Sequence, residues 1–94
     1  MVDVNHAKKV EEFLNVGKAE SKLITGGDRF SINDSDAFIQ PTIFADVSED
    51  ATIARDEIFG PVLAIQTFDT ENEAIEMANK SVYGLAASVW TSDL

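Results

Sequence analysis

Asp56-Glu57-Ile58-Phe59-Gly60-Pro61-Val62 places two carboxylates and an aromatic ring just before a Gly-Pro corner that feeds an apolar run. Gly60 allows a backbone turn and Pro61 stiffens the chain that follows. In extended chain Glu57 and Phe59, two apart, project to the same side. A carboxylate accepts from ribose hydroxyls, and a ring beside it packs against a flat heterocycle. A plainer arrangement also fits, with Phe59 in the core and Glu57 a solvated loop acid. Short motifs match by chance often enough that residue chemistry alone favours the plainer arrangement.

Other chemistry is scarce. The sequence has no cysteine, which excludes disulfides, thiolate metal sites and cysteine-based covalent catalysis by these residues alone. The single histidine, His6, lies in a polar stretch near the N-terminus and reads as a solvated residue in a first helical turn. A zinc site would rest largely on carboxylates, so no metal is expected. Gly26-Gly27 is a turn signal, and neither GxGxxG nor GxxxxGK[ST] occurs.

Seventeen acidic residues against seven basic ones give a formal net charge of −10, and the basic residues are scattered. Nucleic acid and anionic membrane both require a basic face, so both are excluded as partners. No apolar run approaches the roughly 18 residues that span a bilayer. The N-terminus has neither the basic start nor the apolar stretch of a secretory signal. A soluble cytoplasmic protein is the expectation.

Ninety-four residues make one domain at most. Residues 4–19 carry Ala7, Val10, Phe13, Leu14 and Gly17 at spacings of three and four, which predicts an amphipathic helix capped by Asp3 or Asn5. Residues 22–25 read as a strand stopped by Gly26-Gly27, and residues 28–36 as a polar loop. Residues 37–47 form an extended stretch in which Pro41 marks a bulge or an edge. Residues 51–58 read as a loop with room for one helical turn. Residues 62–68 are a nearly continuous apolar strand. Thr70-Glu71-Asn72-Glu73 is a capping box, in which the Glu73 carboxylate reaches back to the Thr70 N–H. Ala74, Ile75 and Ala78 then give the helix a buried stripe, and residues 85–90 a second strand. The last third is thus a βαβ pattern, whose parallel strands expect cover on both faces.

The segment 56–62 is similar to the Glu-Glu-Ile-Phe-Gly-Pro-Val signature of the aldehyde dehydrogenase superfamily, with Asp56 in place of its first Glu. The flanks agree: Phe38-Ile39-Gln40-Pro41-Thr42-Ile43-Phe44 before it, and Tyr83-Gly84-Leu85-Ala86-Ala87-Ser88-Val89-Trp90-Thr91 after it. Gly17-Lys18-Ala19-Glu20 and Gly26-Gly27 fall in the expected order, so the resemblance covers nearly the whole chain with highly specific motifs. It implies one partial domain over residues 1–94, the C-terminal part of the catalytic domain of an NAD(P)-dependent aldehyde dehydrogenase. The fold implied is α/β, with a partial, mostly parallel sheet of about four strands, two helices and a C-terminal βαβ unit.

By the same resemblance Glu57 holds the ribose of the nicotinamide half of NAD or NADP, and Phe59 packs near the nicotinamide ring. The family's nucleophilic Cys, its general-base Glu and its oxyanion donors belong to chain N-terminal to this piece. No catalytic residue is therefore assigned here. The leading expectation is a fragment of an aldehyde-oxidising enzyme, inactive alone and binding cofactor weakly or not at all. An alternative from another class is a free-standing interaction module that self-associates or pairs with a full-length relative through exposed sheet edges. A small catalyst built on Glu57 and His6 ranks last. The aldehyde, and the choice of NAD or NADP, depend on residues outside this sequence.

Overall fold

The computed structural model describes residues 3–92. The first helix, α1 (Val4–Glu20), starts where the sequence supplies a cap. Asp3 stands in extended conformation and its Oδ1 accepts the His6 backbone N–H at 2.8 Å, satisfying a donor that every helix start leaves open. The helix stops at Ser21, whose N–H and hydroxyl both donate to the Gly17 carbonyl. Ala7, Val10, Leu14 and Gly17 are buried, as their spacing predicts; Phe13, expected on the same stripe, is only half-buried.

Among the described residues five strands and two further helices follow, in the order β1 (Lys22–Thr25), β2 (Arg29–Ile32), β3 (Ser35–Ile39), β4 (Thr42–Ala45), α2 (Thr52–Arg55), β5 (Val62–Ala64) and α3 (Glu71–Asn79). They form two sheets. One runs β1-β4-β5, with β4 antiparallel to β1 and parallel to β5. The other is the antiparallel pair β2-β3. The fold is α/β with a small mixed sheet, and the expectation of a mostly parallel one is corrected: among the described residues one strand pair is parallel and two are antiparallel.

Turn chemistry explains the difference. Residues 28–36, read as a loop, contain β2 and the start of β3, joined by Asn33-Asp34 with φ of 51° and 65°. Two successive left-handed residues twist a hairpin in the sense its strands require, and so short a connection permits only antiparallel pairing. Pro41 marks the passage from one sheet to the other, between β3 and β4. Gly26, at φ +76°, ends β1 so close to the Pro41 carbonyl that a Cβ would overlap it. The Gly27 N–H then donates to Thr42 Oγ1 at 2.9 Å, and that hydroxyl donates to the Gln40 carbonyl at 2.7 Å. Thr42, buried and polar, is thereby satisfied.

The core lies between α1 and β4. Phe44 is fully buried with its ring against Gly17, and Ile39, Val47, Ala51 and Ile53 close around it. The Glu20 carboxylate accepts the Thr52 N–H at 2.8 Å and ties the end of α1 to the start of α2, the single helical turn allowed for in residues 51–58.

Beyond β5 the chain leaves the body. The strand expected over 62–68 stops at Ala64, with two more backbone bonds beyond it, from the Ile65 N–H to the Phe44 carbonyl at 2.8 Å and from the Val47 N–H to the Ile65 carbonyl at 3.3 Å. Thr70 caps α3 by accepting the Glu73 N–H at 3.1 Å, but the Glu73 carboxylate accepts from Asp69 rather than from Thr70. Helix α3 buries no residue, and Ile75, expected to face the core, is exposed. A Lys80–Glu49 ion pair at 2.6 Å holds its end, and that carboxylate raises the Lys80 pKa. Residues 85–90 form no strand, and Leu85, Val89 and Trp90 are almost fully exposed. The βαβ expectation is corrected here too. A crossover closes only when its helix lies on the sheet, and α3 does not.

Candidate functional site

Residues 56–61 connect α2 to β5, and both ends of this loop are fixed from the core side. The Asp56 N–H donates to the Thr52 carbonyl at 2.9 Å as the cap of α2. Ile58 and Val62 pack on the core. Gly60 lies against α1, where a Cβ would stand 3.0 Å from Val10 Cγ1.

Between those anchors Phe59 has φ 62°. The left-handed region costs an L-residue with a bulky side chain about 1–2 kcal/mol. With Ile58 turned inward and Gly60 pinned, this backbone sends the ring outward, where it is 74% exposed. The arrangement that makes Phe59 a core residue is therefore not the one this chain adopts. Glu57 is also exposed, and among the described residues its carboxylate has no hydrogen-bond or ion-pair partner. The left-handed Phe59 breaks the strand-like alternation expected to align the two side chains. What Glu57 and Phe59 share is the outer side of one anchored loop.

The contact of His6 with this loop is one that sequence reasoning missed. Expected as a solvated first-turn residue, His6 is half-buried, with its ring centroid 6.3 Å from that of Phe59 and the planes at 46°. The one signal in the sequence was its position four residues before Val10, which puts both on one face of α1. That face meets Phe59 and Gly60 in turn.

Two surface hollows lie elsewhere. One is lined by Glu49, Ala54, Met77 and Lys80, the other by Lys9, Glu12, Phe13, Val16 and Thr52, and neither includes Glu57 or Phe59. The pair stands on open surface, outside both hollows. Among the described residues no group of three or more His, Cys, Asp or Glu could hold a metal ion, and no helix is long and apolar enough to cross a membrane.

Residues 1–94 match the model of the aldehyde dehydrogenase family over their full length, and the chain belongs to that family. It is 46% identical over 93 residues to the geranial dehydrogenase of Castellaniella defragrans, covering 99% of this chain and 19% of that protein. Among solved structures, the indole-3-acetaldehyde dehydrogenase of P. syringae in complex with NAD+ superposes with a TM-score of 0.94 at 41% identity, covering 100% of this chain and 19% of that one. The Mycobacterium tuberculosis aldehyde dehydrogenase complexed with NAD+ gives 0.87 at 52% identity, over 95% and 19%. The chain thus spans about a fifth of the length of the relatives it matches. These matches fix membership and extent; they do not fix the C-terminal position that the signature implied.

Proposed function

We propose that this chain is a segment of an NAD(P)-dependent aldehyde dehydrogenase that supplies a contact surface for the nicotinamide half of the cofactor, with no turnover of its own. The observation that carries the reading is the anchored loop 56–61. It spends backbone strain to hold an aromatic ring in solvent, on the same loop as a carboxylate that no described protein group engages. The chemistry of the two side chains fits the ligand. A carboxylate accepts from the two hydroxyls of a ribose, and an exposed ring offers a flat apolar face to a nicotinamide. Bound NAD(P)+ supplies the hydride acceptor; Glu57 orients its ribose and Phe59 borders its ring.

The chemistry of aldehyde oxidation in this family runs through a cysteine thiolate, and the sequence has no cysteine. No carboxylate here replaces a thiolate acting on a neutral aldehyde. The apolar surface around α3 and residues 82–90 is, in this reading, the face that the other four-fifths of such an enzyme covers. Purified chain given NAD+ and an aldehyde should form no NADH above a buffer blank, followed by absorbance. NADH formation that persists after contaminating enzyme is excluded would overturn the reading.

A further inference from the structure

We infer that His6 is a positioning residue, which sets the Phe59 ring for a flat ligand by ring-to-ring contact; the inference rests on the cofactor reading above. Phe59 stands on a left-handed backbone with its ring 74% exposed, and the core does not enclose it. Its described ring contact is His6, at 6.3 Å and tilted by 46°, inside the range in which aromatic pairs attract. His6 is fixed at its backbone, where its main-chain N–H donates to Asp3 Oδ1 at 2.8 Å, and its side chain is half-buried in the first turn of α1. One helical turn on, Val10 is fully buried against Gly60. Two side chains of one helix face therefore grip two successive loop residues. Val10 fixes the backbone corner and His6 fixes the ring that projects from it. A ring set before the ligand arrives spares the ligand the cost of ordering it.

The test uses the 94-residue chain with ring-labelled phenylalanine, by NMR, with NAD+ as the probe at millimolar concentrations. In the free chain the Phe59 ring protons should show contacts to the His6 imidazole and a ring-current shift. His6→Ala should abolish both and His6→Phe should restore the shift, each with the dispersed spectrum of the fold retained. Affinity for NAD+ should fall roughly two- to tenfold in His6→Ala and return in His6→Phe. Recovery in His6→Gln but not in His6→Phe would mean that His6 bonds the ligand directly, which overturns a ring-contact role. Unchanged Phe59 ring signals in His6→Ala overturn it as well. If wild-type Phe59 ignores NAD+, the cofactor reading falls by itself. The free-chain ring signals then decide His6 separately.

Discussion

Phenylalanine is an uncommon residue in the left-handed region, because its Cβ crowds the neighbouring carbonyl. At residue 59 the ring recovers little of that cost, since most of it meets water. Stability therefore gives no reason for the side chain. Phe59→Gly removes about 1–2 kcal/mol of strain while adding about 0.5–1 kcal/mol of unfolded-state entropy. The ring contact with His6, worth about 0.5–1.5 kcal/mol, is lost as well, so urea unfolding should show stability within about 1.5 kcal/mol of the wild type, with the NAD+ response at this loop lost. A loss of stability beyond that would mean the ring packs on the body more than its exposure indicates. The family signature that carries Glu57 and Phe59 was legible in the sequence because it is local, but the left-handed turn at Phe59 that breaks their alternation was not. His6 was not, because its partner lies more than half the chain away and only the fold brings α1 against the loop.

The elements that read correctly carry their own signals. Helix α1 has a cap and a buried stripe, β1 has a Gly-Gly stop, and α3 has its capping Thr70. Those that misread depend on neighbours. The hairpin β2-β3 turns on Asn-Asp rather than Asn-Gly, so its polar residues resemble a loop. Residues 85–90 have strand composition, but β propensity expresses fit to a half-buried sheet surface, and no sheet edge reaches them. The α1–β4 contact offers a quantitative check. Replacing a mid-helix glycine by alanine gains about 1 kcal/mol. At Gly17, however, the new Cβ would stand 2.8 Å from Phe44 Cζ, on a fully buried ring, and overpacking costs typically about 1–3 kcal/mol. Gly17→Ala should therefore destabilise the chain by about 1 kcal/mol in urea unfolding. A stabilised variant would mean that Phe44 has room to move aside.

As a whole the molecule is long, 50 × 26 × 25 Å with a radius of gyration of 15.0 Å, where a compact chain of this length has about 12 Å. Its accessible surface of 7095 Å² exceeds by roughly a third the value of about 5,300 Å² typical of a folded monomer of this mass. The excess includes large apolar side chains: Val82, Leu85, Val89 and Trp90 are each at least 88% exposed. Strand β5 also ends the β1-β4-β5 order with one edge unpaired. Exposed apolar area is worth about 25 cal/mol per Å² to whatever covers it, so the isolated chain should self-associate. A formal net charge of −10 opposes this, and salt screens that repulsion. Sedimentation at tens of micromolar protein should therefore show association that strengthens with salt; a salt-insensitive monomer would mean that the fold closes its own surface. The claim beneath the rest, that the anchored loop is one wall of a cofactor site, is tested most directly by titrating the isotope-labelled chain with NAD+ and following every backbone amide. The expected result is a set of shifts centred on Glu57 and Phe59, with a Kd on the order of a millimolar, since one carboxylate and one ring act without the rest of the site. Shifts centred elsewhere, or low-micromolar binding, would contradict it.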